Sequence, residues 1–98
     1  MILKHLDFYL NAHVYHFRDS RDREADAVIE FNDGSWGLVE IKLGGIDIIN
    51  LASKRLIKLS NDIISDKKPA FLMIITGTEL AYKNKDWVYI VPLGCLKP

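Results

Sequence analysis

The longest regular pattern of apolar residues lies in the middle of the chain and predicts a helix over residues 46–65. Ile49, Leu56 and Ile63 follow one another at intervals of seven residues, which keeps them on one face of a helix. Residues 1–12 also carry apolar side chains near helical spacing, and this pattern predicts a short amphipathic first helix.

Shorter segments rich in β-branched and aromatic residues predict strands. The predicted strands cover residues 14–18, 25–31, 36–43, 70–76 and 87–91. The segment 70–76 is almost wholly apolar, which is typical of a central strand buried on both faces. A hairpin followed by a β–α–β unit predicts an α/β (α+β) domain, with a mixed sheet of about five strands and flanking helices.

The Asn32-Asp33-Gly34 tripeptide between two predicted strands indicates a hairpin. A three-residue loop of this kind is a type I turn followed by a left-handed residue, and glycine suits the left-handed position. Such a loop pairs Phe31 with Ser35 and fixes every later pair of the two strands.

The hairpin register decides whether the polar residues of these strands form a site. The three-residue loop places Asp26 opposite Glu40 and Glu24 opposite Lys42, on one face and roughly 5 Å apart at Cβ. A two-residue Asp33-Gly34 loop would instead place Asp26 opposite Ile41, and the acidic side chains would then lie on opposite faces.

Paired carboxylates beside a lysine are suited to metal-assisted chemistry. Asp26 and Glu40 repel one another, and a cation between them favours their ionised forms. Magnesium and manganese prefer oxygen ligands, and Lys42 could position water or stabilise charge on a phosphate. Glu24 would either orient the residues that bind the metal, without touching the metal itself, or act as a third acid. The alternative interpretation is a set of salt-bridge partners at a sheet edge, with Glu24 paired to Lys42.

Composition and charge limit the classes of function. The 98 residues make one domain, 1–98, with 13 basic and 13 acidic residues and no net charge. This balance argues against electrostatic binding of nucleic acid over the whole protein surface, but it allows a local basic patch. The single cysteine, Cys95, excludes an internal disulfide and is expected to be buried. We find no signal peptide and no apolar segment long enough to span a membrane, and we expect a soluble cytoplasmic protein.

Basic residues near the predicted acidic patch are candidates for binding phosphate. They are Arg18 and Arg23 beside the second strand, and Lys54, Arg55 and Lys58 on the long helix. The two lysines share a helix face at i, i+4. The alternative is a charged loop and a solvated helix face. Gly44-Gly45 lacks the residues of a phosphate-binding loop, so the sequence predicts no nucleotide site.

Four segments carry a resemblance to a known family. They are Tyr15-His16-Phe17-Arg18-Asp19, Arg23-Glu24-Ala25-Asp26-Ala27-Val28-Ile29-Glu30, Gly37-Leu38-Val39-Glu40-Ile41-Lys42-Leu43-Gly44 and Ile90-Val91-Pro92-Leu93-Gly94-Cys95-Leu96-Lys97-Pro98. With these segments in order, the chain resembles the PD-(D/E)XK, or restriction-endonuclease-like, superfamily. It is most similar to the C-terminal domain of unknown function found on prokaryotic AAA-type ATPases.

The resemblance implies roles for three residues. Asp26 and Glu40 correspond to ligands of Mg²⁺ or Mn²⁺, and Lys42 corresponds to the catalytic lysine, with DNA as the implied substrate. Relatives carry a further acid upstream of the segment that resembles Leu3 to Leu10, and an ATPase domain that this chain lacks. We therefore expect a fragment or truncated relative.

Two functions remain open at this point. One is metal-dependent hydrolysis of DNA phosphodiesters. The other is a non-catalytic domain that docks to an ATPase or forms a homodimer, with structural acids.

Overall fold

The computed structural model describes residues 12–18, 24–63 and 68–96. Within these ranges, strands form one sheet with a helix against it, and a short 3₁₀ helix, Leu93–Leu96, follows the last strand. The strands and the helix are β1 (Ala12–Arg18), β2 (Glu24–Phe31), β3 (Trp36–Lys42), α1 (Ile46–Asp62), β4 (Phe71–Thr76), β5 (Tyr82–Lys83) and β6 (Val88–Pro92). The helix predicted over residues 1–12 falls almost wholly outside the described residues, as do Arg23 and residues 64–65.

The six described strands are ordered β1-β2-β3-β4-β6-β5 in a mixed sheet. The pairs β1–β2, β2–β3 and β5–β6 are antiparallel, whereas β3–β4 and β4–β6 are parallel. This arrangement confirms the predicted α/β class and mixed sheet. The strand that the sequence pattern did not predict is β5, which has two residues and is therefore too short to show an alternation.

Hydrophobic side chains fill both faces of the sheet. On one face, Leu38, Ile74 and Ile90 pack with α1 residues in a single cluster and are fully buried. On the other face, Val39 and Ile75 belong to a second cluster and are also fully buried. Burial on both faces explains why the central strands are almost continuously apolar in sequence.

The helix α1 presents the predicted apolar stripe to the sheet. Ile49, Ala52, Leu56 and Leu59 are buried along it. Its first residue follows Gly45, and the backbone N–H of Ile63 donates to the carbonyl of Leu59 at the other end. None of the described helices has the length and apolar character needed to cross a membrane.

The loop between β2 and β3 has the predicted three-residue geometry. The Phe31 N–H donates to the Ser35 carbonyl at 2.8 Å, and the Gly34 N–H donates to the Phe31 carbonyl at 3.0 Å. Gly34 has a φ of 87°, in the left-handed region. The Asp33 carboxylate accepts from the Ser35 N–H at 2.9 Å. These bonds fix the predicted register, and its pairs run from Glu30–Trp36 to Ala27–Val39.

Replacing the loop glycine should destabilise the hairpin. Gly34→Ala places a Cβ at a left-handed position, and we expect a loss of about 1 kcal/mol in the free energy of unfolding. Urea denaturation followed by circular dichroism measures this loss. The control is Gly94→Ala, where an added Cβ has no neighbour within 4 Å. Equal midpoints for Gly34→Ala and the parent would contradict the loop assignment.

Candidate active site

One cleft gathers the charged residues that the hairpin register was predicted to bring together. Its volume is about 470 Å³, and it lies between the ends of β2 and β3 and the flank of α1. The lining residues are Glu24, Asp26, Glu40, Lys42, Ala52, Arg55, Leu56, Lys58 and Leu59. The strands thus supply three acids and one lysine, and the helix supplies two cations above an apolar floor.

A β-bulge lies at the point where β2 enters the cleft. Tyr15 pairs with Val28, but two residues further along β1 Phe17 pairs with Ala25, so β2 has one extra residue there. Asp26 is within this bulge. A bulge bends a strand and re-aims side chains, and bulges are frequent beside active sites. Nothing in the spacing of residues along the chain predicts this bulge.

Asp26 is held in place by the neighbouring strand. Its Oδ2 atom accepts a hydrogen bond from the backbone N–H of Ile41 at 2.7 Å. This bond ties Asp26 to β3 one residue beyond the last regular pair, Ala27–Val39. A carboxylate has two oxygens with several lone-pair positions, so the bond orients Asp26 and still leaves acceptor capacity for a ligand.

The surroundings of Glu40 disfavour the ionised form of its carboxyl group. Burial raises the pKa of its carboxyl above the ordinary value of 4.5, and the charges of Asp26 and Glu24 raise it further. Lys42 acts in the opposite direction, with its Nζ 3.8 Å from Glu40 Oε2. The raised pKa is the expected result of placing acids together in a partly buried cleft.

Glu24 lies at the rim of the cleft and has different partners from the one predicted. His16 Nε2 is 2.9 Å from Glu24 Oε2, and Arg18 Nη2 is 3.7 Å from the same atom. Lys42 forms its ion pair with Glu40 instead. The predicted Glu24–Lys42 ion pair was therefore wrong. The regular pairing of β2 with β3 ends before these two residues, and the bulge changes the course of β2.

Only some of the candidate phosphate-binding residues line the cleft. Lys58 lines the cleft as predicted, whereas Lys54 is exposed and does not line it. The second helix cation in the cleft is Arg55, three residues before Lys58. Arg18 is at the end of β1 beside Glu24 and is not a lining residue. Arg23 lies outside the described residues, so its place is not assigned.

The pattern of charges along the sequence does not show whether Lys54 or Arg55 lines the cleft beside Lys58. Both are cations of the same helix, and i, i+4 spacing favours Lys54 with Lys58. The buried stripe of α1 is the signal that decides it, because Arg55 lies next to Leu56 and Leu59 on the flank that faces β3.

The exposure of Cys95 corrects a second expectation. Its side chain was predicted to be buried, but the cysteine is free and exposed. The reason is local: Leu93, Gly94 and Cys95 are all exposed in the 3₁₀ helix that follows β6.

The donor set of the cleft fits a divalent cation with few protein ligands. Among the described residues, no group of three or more His, Cys, Asp or Glu side chains is arranged to hold a metal ion. Asp26 and Glu40 nevertheless provide two carboxylates at one cleft. Mg²⁺ commonly binds through one or two carboxylates, with water and substrate phosphates as its other ligands.

Neutralising Glu40 should stabilise the metal-free fold at neutral pH. Because the folded-state pKa of Glu40 is raised, its contribution favours folding below pH 4.5 and is lost as the pH rises through the folded-state value. Glu40→Gln should therefore have a higher free energy of unfolding than the parent at pH 7.5, with the gain disappearing near pH 4. Urea denaturation in EDTA at both pH values measures this.

The matched control for this substitution is Glu30→Gln, which changes an exposed acid of β2. It should show no comparable gain at pH 7.5. A Glu40→Gln variant less stable than the parent at pH 7.5 would mean that the ion pair with Lys42 outweighs the repulsion.

The comparison with known proteins identifies the family of the chain but not its activity. No curated protein and no solved structure matches the chain. The resemblance to the PD-(D/E)XK superfamily therefore stays a prediction. Residues 1–96 match the model of a family described as a domain of unknown function, and that family is commonly found in AAA-ATPase proteins. The match covers nearly the whole chain, which therefore belongs to the DUF4143 family.

Proposed function

We propose that this domain hydrolyses phosphodiester bonds of DNA with the help of Mg²⁺ or Mn²⁺. The observation that carries the proposal is the cleft that Asp26, Glu40 and Lys42 line together with Arg55 and Lys58. Carboxylates suit the cation, and the three basic groups suit the phosphates of the substrate.

Asp26 and Glu40 are the residues that would hold the cation. When bound there, a divalent cation would polarise a phosphoryl oxygen and neutralise part of the phosphate charge. The bond from the Ile41 N–H fixes the carboxylate of Asp26 before any ligand arrives. Prior orientation of this kind reduces the entropy that a ligand must overcome on binding.

Lys42 is the residue best placed to act on the reacting phosphate. Its side chain is 37% exposed, so the ammonium can reach a substrate in the cleft. Hydrolysis puts negative charge on the phosphoryl oxygens, and a fixed ammonium stabilises that charge. The ion pair with Glu40 limits the movement of Lys42 and keeps its charge close to the acids.

Arg55 and Lys58 would bind phosphates from the opposite wall of the cleft. Both project from α1, whose buried stripe fixes their position against the sheet. Because the chain has no net charge, these local contacts must supply most of the attraction to nucleic acid, and binding should weaken as salt rises.

A second candidate function is that of an interaction domain, which docks to an AAA-type ATPase or to a second copy. The exposed apolar residues around the start of α1 favour it. Leu43, Ile46, Ile48 and Leu51 are 66%, 58%, 51% and 51% exposed. Apolar side chains grouped at a surface are typical of protein interfaces. The acids of the cleft would then be structural, and metal binding separates the two candidates.

Calorimetric titration of Mn²⁺ tests the metal site directly. We expect binding to the parent and none to Asp26→Asn or Glu40→Gln, because each substitution removes a charged ligand. Asn keeps an oxygen that can accept the Ile41 N–H, so the fold around position 26 is retained. Glu30→Gln should bind Mn²⁺ like the parent. No binding to the parent would overturn the catalytic proposal and leave the interaction domain.

Removing the lysine should affect cleavage without removing the metal. We expect Lys42→Met to bind Mn²⁺ and to cleave a labelled DNA oligonucleotide roughly 10²- to 10⁴-fold more slowly, the usual range for loss of such a group. The assay belongs at pH 8, since loss of Lys42 also raises the pKa of Glu40. Lys54→Met, outside the cleft, is the matched control and should cleave at the parent rate. Equal rates for the two variants would exclude Lys42 from the reaction.

A further inference from the structure

Two loops of this sheet share one backbone hydrogen-bond pattern. In the β5–β6 loop, the Asn84 N–H donates to the Val88 carbonyl at 3.0 Å, and the Trp87 N–H donates to the Asn84 carbonyl at 3.1 Å. The β2–β3 loop has the same two bonds between the corresponding positions. In the β2–β3 loop the left-handed position holds Gly34, whereas here it holds Trp87, with a φ of 67°.

A tryptophan in the left-handed region is strained, because its Cβ crowds the backbone there. The loop is nevertheless held firmly in this shape. The Asn84 side-chain oxygen accepts from the backbone N–H of both Asp86 and Val88 at 3.0 Å. The Asn84 amide also donates to the hydroxyl of Ser53, which is buried in α1, at 2.9 Å.

Burial does not explain why the strained position carries an indole. Trp87 is 70% exposed, whereas the other tryptophan, Trp36, is 7% exposed and belongs to the core. The ring lies against a cation: Lys83 Nζ is 3.6 Å from its centroid. A glycine would relieve the strain and lose little packing. Strain that the fold does not require is a reason to look for a function of the side chain.

The surroundings of Trp87 favour a nucleic acid base as its ligand. Exposed aromatic rings next to lysines bind single strands, because a base stacks on the ring and the ammonium groups bind the adjoining phosphates. Lys83 and Lys85 both lie in this hairpin, with Asp86 as its one acid among residues 82–90. The residues between Lys83 and Trp87 are polar, which suits a charged ligand better than an apolar protein side chain.

We propose that Trp87, with Lys83 and Lys85, stacks against a base of single-stranded DNA or RNA. This site is separate from the cleft, because β4 lies between β3 and β6. It needs no metal and stands whether or not the domain cleaves its ligand.

Titration with a labelled single-stranded oligonucleotide in EDTA and low salt tests this proposal. We expect fluorescence anisotropy to show binding by the parent, with tryptophan emission quenched through Trp87. A dT and an rU oligonucleotide distinguish DNA from RNA, and a duplex of equal length should bind more weakly. Trp87→Gly should bind about tenfold to a hundredfold more weakly, the usual effect of losing one stacked base.

Three further variants separate stacking from other effects. Trp87→Phe keeps a ring and should retain most of the affinity, whereas Trp87→Leu keeps apolar bulk without a π-face and should not. Leu80→Ser removes another exposed apolar side chain, 76% exposed, and should bind like the parent. The melting temperature of Trp87→Gly should be equal to or above that of the parent, because glycine relieves the strain.

Parent-like oligonucleotide binding by Trp87→Gly would overturn the proposal. No binding of either single strand by the parent would overturn it too and would favour a protein ligand. A Trp87→Gly variant that melts well below the parent would show that the indole stabilises the fold, which removes the premise. Because EDTA is present throughout, none of these results depends on the metal site of the cleft.

Discussion

The pair of backbone hydrogen bonds that closes the β2–β3 loop is the constraint on which the rest of the site depends. The bonds between Phe31, Gly34 and Ser35 set the register of the two strands. Side chains alternate along a strand, so a shift of one residue would turn Asp26 and Glu40 to opposite faces. The same shift would turn Leu38 away from α1, against whose apolar residues it packs. Core packing and candidate chemistry therefore require the same register, and the large apolar core stabilises the arrangement of a few charged groups.

The cleft places charged groups where burial disfavours their charge. The fold compensates in part by pairing Lys42 with Glu40 and by giving Asp26 a backbone donor. The net effect is still a raised pKa for Glu40. An arrangement that lowers stability persists where a ligand relieves it, and a divalent cation is the ligand that two acids would bind best. This reasoning supports the metal proposal independently of the family resemblance.

Local chemistry predicted most of this architecture, and long-range geometry accounts for what it missed. The loop tripeptide and the seven-residue stripe are short-range patterns, and both the register and the buried face of α1 followed from them. The bulge beside Asp26 could not be predicted, because it depends on how β1 pairs with β2 and leaves no mark in spacing. The place of Arg55 in the cleft could not be predicted for a related reason: which of the neighbouring helix cations lines the cleft depends on how α1 is rotated over the sheet. Cys95 was predicted from the general burial of cysteine, and the local 3₁₀ helix overrides that tendency.

Two residues of this domain lower its stability, one through electrostatic repulsion and the other through a strained backbone conformation. Glu40 carries the electrostatic strain in the cleft, and Trp87 carries the backbone strain in the β5–β6 loop. In each case a neighbouring cation offsets part of the strain: Lys42 at 3.8 Å and Lys83 at 3.6 Å. A lysine that neutralises an acid or covers a ring is also a group that can attract phosphate. A polyanionic strand would thus find a positive charge beside both strained residues, although the chain as a whole is neutral.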